Sequence, residues 1–306
     1  MNPTESRQGR LISWAAHDAA RNMAIDEALL QSVAQGGQPA LRFYAWSRPT
    51  LSLGYFQTSA AASDWLCRTG VIPDEPAAFV MRPNLPRFCS SNSGGVVSAR
   101  SSPAEILESV GSSGSFDLVR RSTGGGAILH HHELTYSLVL PMPVSDTGAR
   151  TAVYQGAHAA VMETLGQWRI RPIPYRQSIV SSQPSPGLDA DRQSEPFLCF
   201  QRRTDEDLII SGYKVLGSAQ RRVRGALLQH GSLVLQVSPW AQAVPGLAEL
   251  TGIHLTSSVV ADSLAGSIAE HVGCSFSEGA ITADEQQLAD FICRERFGDL
   301  GWTLRR

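Results

Sequence analysis

Hydrophobic and polar positions along this chain follow two periods, and the changes between them mark out its elements. At 22–34, Met23, Ile25, Ala28, Leu29 and Val33 recur at helical spacing, and Gly36-Gly37 ends the run, which predicts a helix. Alternation at 41–46 and again at 51–56 predicts two strands. Residues 83–115 lose all periodicity and are rich in Ser, Gly and Pro, so a long flexible insertion is expected there, with a short helix at 105–110. A second flexible insertion is expected at 181–194. Between the two lie strand patterns at 126–130 and 134–140, then a helix whose Val153, Ala157, Ala160, Val161, Thr164, Leu165 and Trp168 share one face. Three more strands are predicted at 207–210, 213–218 and 226–237, with Ser211-Gly212 as the turn between the first two. The tail, 238–306, reads as helical, and Thr282 with Glu285 forms a capping-box pattern ahead of Leu288, Phe291 and Ile292. Strands outnumber helices and several are hairpin-linked. The expected class is α+β, with a mixed, mostly antiparallel sheet flanked by helices.

Composition narrows the functional classes. The chain has 306 residues and a formal net charge of −2, so no global basic field argues for nucleic acid. No apolar run approaches the length of a membrane span, and residues 1–10 lack the apolar core of a signal peptide. The five cysteines are scattered and contain no Cys-x-x-Cys, which argues against a zinc site or a disulfide framework. A cytoplasmic protein is expected, binding neither nucleic acid nor membrane, and monomeric.

The basic residues change the picture more. Of twenty-six, one is lysine, Lys214, and the rest are arginine. A chain that uses arginine wherever a positive charge will do keeps lysine where a compact ammonium on a flexible stem is required. Arg120-Arg121-Ser122-Thr123-Gly124-Gly125-Gly126-Ala127-Ile128-Leu129-His130 is the strongest local motif. Its glycines allow close backbone approach to a ligand. Cys199, between Leu198 and Phe200, is either an apolar filler or a nucleophile. Reactivity needs a nearby cation to stabilise the thiolate, and Lys214 lies one hairpin away. His230 sits on a strand-like run. His130-His131-His132 would alternate faces on a strand, so the three cannot converge on one metal, and no metal is expected.

Taken together and in order, these motifs resemble the lipoate–protein ligase, octanoyltransferase and biotin–protein ligase superfamily. They are Arg-Arg-Ser-Thr-Gly-Gly-Gly-Ala-Ile-Leu-His, Glu133-Leu134-Thr135-Tyr136-Ser137, Lys214-Val215-Leu216-Gly217-Ser218-Ala219-Gln220 and Leu228-Gln229-His230-Gly231-Ser232-Leu233. Residues 22–29 and 49–54 are similar to its usual opening. Cys199-Phe200 ahead of the lysine strand is most similar to the LipM-like branch of octanoyltransferases and amidotransferases, which carry a nucleophilic cysteine in that context. Two positions depart: His131 stands where aspartate is usual, and Gly126 is more like the ATP-dependent ligases.

The resemblance implies one catalytic domain over 11–306, of the biotin/lipoate ligase type, with insertions at 83–115 and 181–194 and the helical tail. It implies transfer of an octanoyl or lipoyl group from a carrier-protein thioester to a lysine of a lipoyl domain, through an acyl thioester on Cys199. The donor is an acyl carrier protein or a lipoyl carrier protein. By the same resemblance, Cys199 and Lys214 are catalytic. The acyl ligand is met by Arg121, Gly124, Gly125, Gly126, Ala127, Ile128, Leu129, His130, Gly217, Ser218, Ala219 and His230. An apolar tunnel for such a tail gains up to about 6 kcal/mol, at roughly 0.8 kcal/mol per buried CH₂, before ordering costs. No cofactor is implied. Two alternatives stay open: an ATP-dependent lipoate–protein ligase, which would use ATP and Mg, and a degenerate acyl-binding protein.

Overall fold

The computed structural model describes residues 7–69, 116–143, 148–180 and 196–306. The insertions expected at 83–115 and 181–194, and the short helix at 105–110, lie outside the described residues. The strands among the described residues are β1 (Arg7–His17), β2 (Ala40–Trp46), β3 (Thr50–Leu53), β4 (Asp117–Arg120), β5 (Ile128–His130), β6 (Glu133–Met142), β7 (Ile173–Pro174), β8 (Leu208–Ile210), β9 (Tyr213–Val223), β10 (Gly225–Val234) and β11 (Cys274–Gly279). Eight of them form one sheet in the order β11-β1-β2-β6-β10-β9-β8-β7, and β4-β3-β5 form a second, smaller one. In the large sheet only β1 pairs in parallel, with β11 and with β2, and the other neighbours are antiparallel. This is the mixed, mostly antiparallel α+β architecture that the pattern predicts.

Alternation sorts the side chains of the large sheet into two layers. On one face Leu41, Phe43, Leu134, Leu138 and Leu140 pack under helices α3 (Ala149–Gly166) and α6 (Ser257–Val272). On the other, Ala40, Val139, Ala226 and Leu228 pack against α1 (Ala19–Ala34) and α7 (Ala283–Ile292). Helix α2 (Ser59–Thr69) closes the small sheet, with Trp65 and Leu66 against Leu51, Leu53 and Ala127. Among the described residues no helix is long and apolar enough to cross a membrane.

Two differences from the sequence reading concern the sheet edges. The tail is not purely helical: between α6 and α7, β11 adds in parallel to β1 and forms one edge of the large sheet. Its sequence, Cys-Ser-Phe-Ser-Glu-Gly, buries only Cys274 fully, so it carries too few apolar positions for a strand pattern to stand out. Strand β4 is four residues long and pairs in parallel with β3.

The chain crosses from the small sheet to the large one between β5 and β6. That crossing places the glycine loop before β5 beside β9 and β10, where Gly124 and Gly125 share a cleft with Gly217, Ser218, His230 and Gly231, and the site lies there.

Candidate active site

Lys214 is the second residue of β9. The β8–β9 hairpin turns on Ser211 (φ 49°) and Gly212 (φ 82°), and positive φ at both central residues suits a two-residue hairpin turn. The turn sets Ile209 opposite Lys214 and Leu208 opposite Leu216. Asp207, just before β8, therefore comes alongside the lysine. Lys214 is 3 % exposed and its Nζ lies 2.9 Å from Asp207 Oδ2. The same ammonium donates to the Cys199 carbonyl at 3.3 Å and faces Cys199 Sγ at 3.5 Å. The lysine stem needs the space beside it. A Cβ on Gly217 would collide with Lys214 Cε and lie 2.7 Å from Nζ.

Cys199 opens a short 3₁₀ turn, Cys199–Gln201. Its backbone is locked to the glycine loop: its N–H donates to Ala127 O at 2.7 Å, and the Ala127 N–H donates to Phe197 O at 3.1 Å. Gly126 permits that approach, since a Cβ there would stand 3.0 Å from both Cα and N of Cys199. Gly54 is as constrained, because a Cβ would overlap the Gly125 carbonyl.

Around the sulfur opens a cleft with mainly apolar walls, about 480 Å³ with its open, solvent-filled mouth included. Arg121, Gly124, Gly125, Ile128, His130, Gly217, Ser218, Ala219 and His230 line it together with Cys199, as expected. So do Met23, Tyr44, Trp46, Thr135 and Phe200, which the sequence reading did not single out. Three residues expected to meet the ligand do not line it: Gly126, which stands against Cys199 and Arg202, and Ala127 and Leu129. Ala127 and Leu129 line a separate cavity of about 370 Å³, because adjacent residues on β5 point to opposite faces. His131 lines that second cavity too, stacked on His132, so the departure from the usual aspartate falls outside the cleft.

Arg121 is 2 % exposed and has no carboxylate partner among the described residues. Its donors reach Ser52 O (2.7 Å), Ser52 Oγ (2.6 Å), Gly124 O (3.2 Å) and Gly126 O (2.9 Å). Burial pulls its guanidinium down to about 10, while the neighbouring Cys199 sulfur works in the opposite direction. Since Ser52 accepts from Arg121, its hydroxyl donates to His130 Nε2 at 2.6 Å, and His130 Nδ1 donates to Glu133. Trp46 stacks on His130 with ring centroids 4.0 Å apart. His230 bonds Thr123 Oγ1 at 2.8 Å and faces Asp26 at 3.5 Å, so it anchors the glycine loop to α1.

Ser218 ends a directed chain of bonds. Burial pushes the His158 imidazole down to about 4, so the ring is neutral at pH 7. Its Nδ1 faces the Glu206 carbonyl at 2.7 Å and must carry the proton. Nε2 then accepts from Ser218 Oγ at 2.7 Å, and Ser218 in turn accepts from Tyr136 OH at 2.9 Å. The serine hydroxyl is thereby committed within the protein and presents only an acceptor to the cleft.

The arrangement pairs a thiol with a buried ammonium at the wall of an apolar cleft. Among the described residues, no histidine is within hydrogen-bond distance of Cys199 Sγ. A thiol and an ammonium so placed can serve acyl transfer through sulfur, the lysine standing where other thiol enzymes place a histidine. Asp207 escaped the sequence reading because it ends an ordinary acidic run, Asp205-Glu206-Asp207. The register of the Ser211-Gly212 hairpin was the available signal.

Residues 98–238 match the family model described as the Biotin/lipoate A/B protein ligase family. The chain is similar to the octanoyltransferase LipM of Kyrpidia tusciae, at 28% identity over 97% of this chain and 98% of that protein. It is similar also to the octanoyltransferase LipM of Staphylococcus aureus, at 31% identity over 74% of this chain and 65% of that one. Among solved structures, lipoate-protein ligase A bound with ATP superposes with a TM-score of 0.62 at 20% identity, covering 97% of this chain and 98% of that one. The bi-partite lipoate protein ligase of Thermoplasma acidophilum gives 0.63 at 18%, covering 97% and 96%. At those identities the structures speak for the fold alone.

Proposed function

This chain belongs to the biotin/lipoate A/B protein ligase family and is an acyltransferase, and we propose that it moves an octanoyl group from a carrier-protein thioester to a lipoyl-domain lysine through Cys199. Octanoyl transfer in protein lipoylation is the activity its octanoyltransferase relatives support. The covalent route rests on one observation: the Lys214 ammonium is seated 3.5 Å from Cys199 Sγ at an apolar cleft.

In the first step the Cys199 thiolate attacks the thioester carbonyl. The new C–S bond forms on Cys199, the carrier's sulfur leaves with its electron pair, and it takes a proton from solvent. In the second step the neutral amine of the acceptor lysine attacks the Cys199 thioester. A C–N bond forms, Cys199 leaves as thiolate, and the surplus amine proton passes to solvent. The sum is acyl thioester plus amine giving thiol plus amide, with no oxidant, reductant or nucleotide. Lys214 stabilises the thiolate at both ends of the cycle and the oxyanion between them. Apolar residues such as Met23, Trp46 and Ile128 take the acyl tail.

The test is intact-mass spectrometry of the protein mixed with octanoyl-carrier protein in the absence of ATP. One octanoyl adduct is expected, mapped to Cys199 and absent from Cys199→Ser, with transfer to a lipoyl domain lost in that variant. Full transfer by Cys199→Ser, or activity that requires ATP, overturns the reading in favour of the ligase.

A further inference from the structure

We propose that Asp207 is a positioning residue that keeps Lys214 in its ammonium form once Cys199 has been acylated, so that the second half-reaction runs on three residues rather than two. The inference rests on the two-step transfer set out above and adds a part to it.

Lys214 has three protons to donate, and Asp207 Oδ2 at 2.9 Å is nearer than either atom of Cys199. The pair is enclosed, with side chains 3 % and 1 % exposed. Asp207 is itself fixed: Oδ2 accepts the Thr204 N–H at 2.7 Å, and the Asp207 N–H returns to Thr204 O at 3.0 Å. The carboxylate is therefore built to face the lysine whatever the state of the cysteine.

That state changes during the reaction. In the free enzyme, thiolate and ammonium support one another. Acylation turns the thiolate into a neutral thioester, and a buried cation left with only neutral partners loses its proton. The other ionisable groups nearby do not prevent this. Arg203 and Arg121 are cationic and disfavour a further positive charge. His158 is neutral, and burial holds the Tyr154 hydroxyl protonated. Asp207 is the carboxylate in contact with Lys214 among the described residues. The second step needs the ammonium most, because the carbonyl oxygen becomes negative as the amine adds.

Two measurements test this. The first follows single turnovers of Asp207→Asn and Asp207→Glu with octanoyl-carrier protein and then a lipoyl domain, from pH 6 to 8.5. Asp207→Asn is expected to form the Cys199 adduct within about fivefold of the wild-type rate, yet to pass it to the lipoyl domain about 10²-fold more slowly at pH 8, the scale of one lost oxyanion contact. The variant-to-wild-type ratio for transfer should rise as pH falls, and Asp207→Glu should recover part of the loss. Equal losses in both half-reactions with a pH-independent ratio mean that Asp207 is only structural, and the proposal fails. No loss at all also overturns it.

The second measurement needs no variant. Lys214 is the sole lysine, so ¹³Cε-lysine labelling gives one resonance that reports ammonium or amine directly. The ammonium is expected at pH 8 in both free and octanoylated wild type, whereas an amine in the octanoylated protein overturns the proposal. Absence of any wild-type adduct overturns the two-step reading and this inference with it, an outcome separate from all the others.

Discussion

At the scale of single residues, the site is set by small groups that leave room for larger ones. Gly217 does so for Lys214. Its φ is ordinary, so alanine is tolerated by the backbone, but the added methyl takes the space of the lysine stem. Gly217→Ala is expected to retain a near wild-type melting temperature and to lose about 10²-fold in turnover, the usual cost of displacing a catalytic group by about 1 Å. Turnover unchanged would mean that the stem has other room. Lys214→Arg tests the reverse relation. A planar guanidinium keeps the charge but does not fit among Asp207, Gly217 and Cys199. Turnover is expected to fall by roughly 10²-fold or more, read by steady-state transfer assay. Near-normal turnover would make the lone lysine a compositional accident.

At the scale of elements, legibility followed the apolar pattern: β2, β6 and β10 were legible, whereas the interior strand β1 and the edge strand β11, with few buried positions, were not. Strands β6 and β10 are buried along nearly their whole length and lie in the middle of the large sheet, where both faces demand it. The edge strand β11 has one buried face position and little pattern, so its pairing with β1 depends on side chains distant in sequence. One of these is the pair Arg10–Glu285, at 2.6 Å. Burial opposes the Glu285 charge, but bonds from Arg10 and the Thr282 N–H outweigh it and hold the carboxyl at about 2, against an ordinary 4.5. A group whose folded value is depressed stabilises fully above its unfolded value and loses that contribution as pH falls to the folded one. Melting temperature is therefore expected to fall between pH 4.5 and 2 as α7 loosens from β1, with at most about 3 kcal/mol at stake. Glu285→Gln should be less stable at pH 6 and lose less on acidification. An identical acid profile in the variant would assign the loss to other carboxylates.

The candidate site was legible for a different reason. Cys199, Lys214, Arg121 and the glycines stand in short runs whose residue types are unusual locally. Asp207, Asp26 and Glu133 are common residues whose roles depend on what faces them across the fold. Ala127 and Leu129 line a different cavity from Ile128 and His130, because alternation along a strand divides a contiguous motif between two faces.

At the scale of the whole molecule, one buried node ties the layers together. Asp26 on α1 accepts from Arg42 (3.0 Å) and Tyr44 (3.0 Å) on β2 and from Ser137 (2.8 Å) on β6, and it faces His230 on β10. Through Thr123 the same histidine reaches the glycine loop. Asp26→Ala leaves the Arg42 guanidinium, 1 % exposed, without its carboxylate, and a loss of about 3 to 5 kcal/mol in denaturant unfolding is expected. Replacing both, as Asp26→Leu with Arg42→Met, should return most of that stability but not the activity, because the anchor of His230 is gone. Recovery of both would show that the node serves stability alone.

The bond from the Cys199 N–H to Ala127 O bears on how long the loaded enzyme lasts. Thiol and serine hydrolases commonly direct the nucleophile's own amide at the carbonyl they cleave, which makes the acyl group electrophilic enough for water. Here that amide is turned to Ala127 O, and the Lys214 ammonium is the charged group that faces the sulfur among the described residues. A thioester so mildly activated survives in water but still reacts with an amine, the stronger nucleophile. Loaded protein left without a lipoyl domain should therefore shed octanoate far more slowly than it discharges when the acceptor is added. On the proposed two-step route the chain would act as a store that empties to its recipient, with a hydrogen bond that points away from the reaction as the source of that selectivity.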